Sequence, residues 1–356
     1  MTVAFEQTFR GRDVFVTGHT GFKGSWLTLW LSRLGARVHG YALAPNTVPS
    51  LFEAARVRDA LTMHTEADVR NADAIELALR SSRADFVFHL AAQPIVRRSY
   101  RFPAETFDIN VMGTVRLLDA VRRIGRPCAL VVVTSDKCYD VVDASWRYRE
   151  SDCLGGSDPY SASKGAAELV VGAYRRSFFP RERPVRIASA RGGNVIGGGD
   201  WSEDRIVPDI VRALTQRRAV RVRNPDAVRP WQHVLDLLGG YLLLASRLDV
   251  GYCCTAWNFG PDKEGSVRDL VDSFLRVWGD GTWVAEAEAE PVAESQALLL
   301  DSSKARAALG WRPRWTREEA IERCARWYAA YRDEPTNARE LCMQEIESYS
   351  RETGCD

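Results

Sequence analysis

The sequence predicts an α/β fold, a doubly wound parallel sheet with a smaller C-terminal substrate-binding lobe. Three observations predict it. A short apolar run, Asp13–Thr17, breaks on glycines spaced Gly18-x-x-Gly21-x-x-Gly24 and passes directly into a helical pattern. Further strand-like runs follow at Arg37–Leu43, Asp85–Ala92, Leu130–Thr134 and Ile187–Ala190, with helical patterns between them. After Ala190 that alternation stops at a glycine-rich stretch, Arg191–Trp201, which opens into sequence of different character.

Taken in order, the first strand and its glycines set up a phosphate site. Glycines let backbone approach a pyrophosphate, which then meets the free N–H groups and positive dipole end of the following helix. That helix carries Trp26, Leu27, Leu29, Trp30, Leu31 and Leu34 and stops at Gly35. The second strand, Arg37–Leu43, leads to Leu43-Ala44-Pro45-Asn46, which holds neither the acid that binds a ribose nor an arginine for a 2′-phosphate. This pattern alone does not choose between NAD and NADP.

A helix over Asp73–Arg80 precedes the buried run Asp85–Ala92, where His89 reads as a satisfied core or cofactor-adjacent histidine. Asn110 opens a helix through Arg123, and the central strand Leu130–Thr134 follows. The helix continuing past Lys164 is apolar on more than one face, as packing on a sheet and against a second subunit requires. Arg191–Trp201 is read as an irregular loop into the second lobe, where Arg205, Arg221, Arg223, Arg229 and Trp231 suggest substrate handling. Ala285–Glu290 reads as a solvated edge, and Asn337–Ser350 as a terminal amphipathic helix. The expected domains are 1–190, with 229–260 returning to it, for the dinucleotide, and 191–228 with 261–356 for the substrate.

Bulk properties exclude several classes. A chain of 356 residues can bury a sizeable core, and a net charge of +1 favours neither nucleic acid nor an anionic membrane as partner. Met1–Gly11 lacks the apolar centre of a signal peptide, and no apolar run approaches the roughly 18 residues that span a bilayer. The eight cysteines form no C-x-x-C pair and no Cys/His cluster at metal-ligand spacing, so a metal site is not expected. Free thiols point to a reducing cytoplasm. Basic residues are nearly all arginine, which makes the rare lysines informative; Lys23, Lys137 and Lys164 all lie in motifs.

The chemistry centres on Thr134-Ser135-Asp136-Lys137-Cys138-Tyr139 and Tyr160-Ser161-Ala162-Ser163-Lys164. Tyr160 and Lys164 are one helical turn apart on one face. Lys164 is expected to lower the Tyr160 phenol from its ordinary pKa near 10, so that tyrosinate can take a proton from a substrate hydroxyl. Ser135 would hold that hydroxyl. Asp136 goes beyond what an alcohol–ketone exchange requires: an acid here can protonate a departing hydroxyl next to a newly made ketone, while a base removes the acidified α-proton.

These stretches resemble those of the extended short-chain dehydrogenase/reductases, and among them the nucleotide-sugar 4,6-dehydratases. The resemblance runs from about residue 10 to 330 and is carried by Thr17–Gly24, His89–Pro94, Thr134–Tyr139, Asp158–Lys164, Gly193–Trp201 and Asn224–Val234. It implies a Rossmann domain with bound NAD, oxidation at C4 of a CDP-hexose, loss of water across C5–C6, return of the same hydride to C6, and a homodimer or higher homo-oligomer. It also implies roles by position. Gly18, Thr20, Gly21, Phe22, Lys23 and Gly24 would hold the dinucleotide with Asp68, Val69, Leu90, Ala91 and Ala92, alongside Tyr160 and Lys164. Gln93, Asn194, Arg205, Arg229 and His233 would hold the nucleotide sugar. Ser135, Asp136, Tyr160 and Lys164 would be catalytic, and Lys137 stands where related enzymes carry a glutamate base. One departure is Ala293-Glu294-Ser295, where this group usually shows His-Glu-Ala. A sugar-nucleotide 4-epimerase, or a dehydratase for another nucleotide sugar, is the rival reading; an epimerase would leave Asp136 idle.

Overall fold

The computed structural model of the chain describes residues 2–142, 146–180, 184–251, 254–286 and 298–351. Seven strands form its central sheet: β1 (Asp13–Thr17), β2 (Arg37–Ala42), β3 (Met63–Glu66), β4 (Phe86–His89), β5 (Cys128–Val133), β6 (Val185–Gly192) and β7 (Ala256–Phe259). Their spatial order is β7-β6-β5-β4-β1-β2-β3, and every neighbouring pair is parallel. The order reverses between β1 and β4. In an open parallel sheet, that reversal leaves a crevice at the carboxyl ends of the strands, where ligands bind.

Side chains alternate between two buried faces, so the strands read as continuous apolar runs. Val14, Val16, Phe86, Phe88, Val131 and Val133 enter one core, while Phe15, Val87, Leu130, Val132 and Ile187 enter the other. The helix Phe22–Arg33 is buried without interruption from Gly24 to Leu31 because it is covered on its outer side as well. The helix Ala338–Arg351, amphipathic in sequence, supplies part of that cover: Trp30 meets Tyr349 edge-on at 5.4 Å, and the Tyr349 hydroxyl donates to Asp236 Oδ1 at 3.0 Å.

Two segments differ from the sequence expectation. The helix expected to open at Asn110 is preceded by Pro103–Phe107 and enters through a π-helical turn, Asp108–Met112, before Gly113–Ile124. That turn points Asn110 inward, where its amide donates to Gln93 O at 3.1 Å and Ser163 Oγ at 2.9 Å. The glycine-rich stretch is not simply irregular: β6 runs to Gly192, and Val195–Ile196 pairs in parallel with Gln232–His233. Its glycines mark close approach; a Cβ on Gly198 would run into the Trp327 ring.

Beyond this stretch lie the helices Ile206–Thr215, Val267–Trp278 and Arg317–Asp333, with the two-stranded pairings Val220–Val222 to Trp283–Ala285 and Val228–Arg229 to Gly265–Ser266. Of the expected solvated edge, Ala285 ends a strand and Glu286 pairs with Arg221 at 2.9 Å. Residues 287–290 and the Ala293–Ser295 departure lie outside the described residues.

Candidate active site

The turn after β1 can only be built from glycine. Gly18 has φ +74°, and a Cβ there would sit 2.7 Å from Ala91 N. A Cβ on Gly24 would overlap the Gly18 carbonyl, so the first turn of the helix lies directly on the loop. Thr20 Oγ1 donates to Leu43 O at 2.8 Å, tying the loop to the end of β2. The result is a cradle without side chains at a helix N-terminus, beside the β1/β4 reversal, and it fits a pyrophosphate.

The other residues expected at the cofactor lie along the same carboxyl edge. Leu90 N and Ala91 N donate to Thr17 Oγ1, both at 3.2 Å. Asp68 follows β3; its carboxylate is gripped by Arg70, which holds it below its ordinary range, and its carbonyl accepts from Tyr41 Oη at 2.7 Å. Val69 packs against Gly113. His89 lies between Thr17 Oγ1 at 2.8 Å and Thr114 Oγ1 at 3.2 Å, and burial pushes it down to about 3, so it is the satisfied core histidine the sequence suggested.

The reacting groups converge where β5 ends. Ser135 caps a single 3-10 turn, Asp136–Cys138: its hydroxyl accepts from Lys137 N at 3.3 Å and donates to Asp136 Oδ1 at 2.8 Å. The same hydroxyl meets the Tyr160 phenol. Tyr160 arrives on the helix Pro159–Ser177, whose start is fixed by Pro159 and by Asp158, which accepts from Ser161 N at 2.9 Å. The Lys164 ammonium lies 6.0 Å from the Tyr160 ring centroid.

Lys164 does not by itself make Tyr160 acidic: burial dominates and, with the nearby Asp136 charge, pushes the phenol up to about 12 despite the Ser135 hydrogen bond and Arg205. Burial also brings Lys164 down to about 8. Asp136 is raised by burial, against the pull of Ser135, Lys137 and Arg229, which favours its acid form. Gly193 and Pro230 close over this carboxyl; a Cβ on Gly193 would stand 3.1 Å from Asp136 Oδ2.

The second lobe and the glycine loop both add charge here. Arg205 pairs with Asp200 at 2.9 Å and lies in the field of Tyr160. Lys23, expected only at the cofactor, extends its ammonium into the same cluster. Burial lowers it to about 7, helped by Lys164 and Arg205 and opposed by Asp136 and Asp200. Asp200 was missed in the sequence although its Gly197-Gly-Gly-Asp-Trp201 setting was noted. Arg229 sits on the pairing with Gly265–Ser266 and acts on Asp136. Asn194 is half-buried at the crossing, its carbonyl accepting from Gln232 N at 3.1 Å.

Two residues expected to bind substrate are also held by internal partners. Gln93 is buried, with Oε1 accepting from Ile95 N at 2.6 Å and Nε2 donating to Thr106 Oγ1 at 3.0 Å. His233 is buried between Trp26 and Trp315, and its Nδ1 accepts from Leu235 N at 3.3 Å to cap the helix Val234–Asp249. Arg221 and Arg223 also face other partners, Glu286 for the first and Asp204 and Asp209 for the second.

A buried pair that no spacing rule revealed braces the catalytic turn from below. Glu168 accepts from Thr134 Oγ1 at 2.5 Å, Ser189 Oγ at 2.8 Å and Arg191 Nη2 at 2.7 Å, and Arg191 Nη1 donates to Tyr139 Oη at 2.7 Å. Glu168→Ala strands the Arg191 charge and is expected to cost about 3–5 kcal/mol of stability, measured by denaturant unfolding. A loss under about 1 kcal/mol would show that the pair is not a brace.

Comparison with known proteins agrees with this geometry. The family described as GDP-mannose 4,6 dehydratase matches residues 15–324. CDP-glucose 4,6-dehydratase of Salmonella typhimurium is 48% identical over 332 residues, 91% of this chain and 92% of that protein. The solved structure of dTDP-glucose 4,6-dehydratase from Streptomyces venezuelae, with NAD bound, superposes with a TM-score of 0.76 at 26% identity, covering 91% of this chain and 99% of the other. UDP-glucose 4-epimerase from Thermotoga maritima shares the fold, with a TM-score of 0.77 at 21% identity over 89% of this chain and 98% of its own.

Proposed function

The chain belongs to the GDP-mannose 4,6 dehydratase family, and on that footing we propose that it is an NAD-dependent CDP-glucose 4,6-dehydratase, a hydro-lyase forming CDP-4-keto-6-deoxy-D-glucose. The observation that carries the reading is Asp136: a buried carboxyl with its acid form favoured, bonded to the serine that also meets Tyr160. Epimerisation needs the tyrosine, serine and lysine but no such acid.

The glycine cradle, with Asp68, Val69 and Leu90–Ala92, would hold NAD, which would supply the hydride acceptor and donor for the exchange between C4 and C6. The chain's own residues move the protons. Tyr160 takes the proton of the C4 hydroxyl, with Ser135 holding that oxygen. Asp136 protonates the C6 hydroxyl as it leaves. Lys137, next in the turn, is assigned the removal of the C5 proton; Lys23, lowered to about 7, is the second amine directed at this cluster. Arg205, Arg229 and Asn194 hold the diphosphate and sugar.

Incubating the purified protein with CDP-, dTDP-, GDP- and UDP-hexoses, without added cofactor, tests the assignment. Turnover of CDP-glucose to a 4-keto-6-deoxy sugar, which absorbs in base, is expected; a requirement for added NADPH would contradict it. The Lys164 ammonium is lost as pH rises through about 8, so kcat/KM should fall above that point. Lys164→Arg cannot lose its charge, and the alkaline limb should move up by more than one pH unit. An unmoved limb would assign it to another group.

A homo-oligomer is also proposed. Tyr100, Phe102, Phe107, Met112 and Leu169 are exposed apolar side chains on the helical segments from Val96 to Met112 and on Pro159–Ser177, the latter being the helix read from sequence as apolar on more than one face. Leu169→Arg should shift the sedimentation coefficient towards that of the monomer. Among the described residues no helix is long and apolar enough to cross a membrane. A cytoplasmic location is inferred from thiols such as Cys138, Cys324 and Cys342, which are free and buried.

A further inference from the structure

Outside the catalytic cleft, the opposite side of the helix Pro159–Ser177 borders a cavity of about 540 Å³. Its lining carries an excess of cations: Arg149, Arg175, Arg176, Arg191 and Lys304 face it against two carboxylates, Glu150 and Glu168, of which Glu168 is paired with Arg191. Arg149 is paired with Asp301 at 3.0 Å, and Lys304 donates to Ala256 O at 2.6 Å. Arg175 and Arg176 make no ion pair among the described residues. Burial lowers the Arg175 guanidinium from its ordinary value, and the charges of Arg176 and Arg191 add to the effect. At the floor, Arg191 is 3% exposed, and its Nε is a buried donor without a hydrogen-bond partner. This N–H lies beneath the lining and adds to the positive field that an acceptor held by Arg175 and Arg176 would meet.

Arginine forks match phosphate oxygens in pairs, and the cavity has the size of a small-molecule site rather than of a peptide groove. Arg191 also reaches the chemistry. One nitrogen holds Tyr139 and another holds Glu168, which holds Thr134; these residues flank the Ser135–Cys138 turn. Whatever engages Arg191 from the cavity acts on both ends of that turn.

We propose that this cavity is a second anion site, which takes a diphosphate-bearing small molecule and, through Arg191, adjusts the catalytic turn. The binding half is independent of the dehydratase reading; the regulatory half rests on it. Calorimetric titration of the NAD-loaded protein with inorganic pyrophosphate should resolve two equivalents. Replacing Arg175 and Arg176 together by alanine should weaken one of them by at least about tenfold. Arg229→Ala should weaken the other, in the cleft. Arg332→Ala, on an exposed arginine that pairs with Asp333 and lies over the Trp278 ring, should change neither.

In turnover, pyrophosphate in the cavity should change kcat, and this response should vanish in the Arg175/Arg176 variant, whose basal rate is unchanged. Pyrophosphate in the cleft competes with substrate and raises KM only. Tighter binding of CTP than of pyrophosphate would identify a nucleotide effector, and equal binding a free diphosphate. Absence of an equivalent sensitive to Arg175 and Arg176 would leave an adventitious ion only and overturn the site. A kcat unmoved at saturating pyrophosphate would overturn its coupling to the turn. If CDP-glucose is not a substrate while that equivalent persists, the cleft assignment fails and the cavity stands.

Discussion

Tyr160→Phe is expected to lower turnover by about 10³-fold or more, with KM for the nucleotide sugar little changed. The phenol stands at about 12 in the protein alone, so losing its proton at pH 7 costs roughly 7 kcal/mol that the loaded cleft must offset. Lys164 at 6.0 Å from the ring centroid supplies one charge, and Arg205 a second. Phenylalanine fills the same space without the group that exchanges the proton. The loss should therefore appear in kcat, with melting temperature preserved. Steady-state kinetics checks it, and a variant within tenfold of the parent would assign the base elsewhere.

Asp136→Asn separates the two halves of the reaction. Asparagine still accepts from Ser135 and Lys137 N, so the turn survives, but it has no proton to give the leaving hydroxyl. Formation of 4-keto-6-deoxy product should fall by about 10²–10⁴-fold. The keto sugar that precedes it should still form, and borohydride quenching should trap it as a pair of C4 epimers that retain their C6 oxygen. Burial raises Asp136, so its acid form persists to higher pH than that of an ordinary carboxyl, as a proton donor to the leaving hydroxyl requires. Lys137→Ala gives the companion result: loss of dehydration supports it as C5 base. Full activity would remove Lys137 from that role and turn attention to Lys23.

The central architecture was legible because its signals are local. The strand at Asp13–Thr17, the glycine turn and the Tyr160/Lys164 spacing each specify geometry within a few residues, and the structure reproduces all three. The Ser135–Asp136 contact follows from adjacency. What escaped the sequence depends on elements far apart in the chain. Asp200 acts on Lys23 only because the stretch Gly197–Trp201 returns to the helix Phe22–Arg33, whose Trp26 Nε1 donates to Gly198 O at 3.0 Å. Glu168 meets Arg191 only because β6 lies beside that helix. Gln93 and His233, expected at the substrate, also have partners that no motif shows, Thr106 and Trp315. The pKa of Tyr160 in the protein alone was not legible for a related reason: spacing shows which charge is near, whereas burial depends on everything packed around it.

The account depends on one hydrogen staying with one sugar. CDP-glucose carrying deuterium at C4, mixed with an equal amount of CDP-glucose that has no deuterium but bears carbon-13 in its ring, is converted and the product read by mass spectrometry and NMR. Deuterium at C6 of the molecules without carbon-13, and on no others, is the predicted result. Deuterium released to solvent, or shared with the carbon-13 molecules, would contradict it.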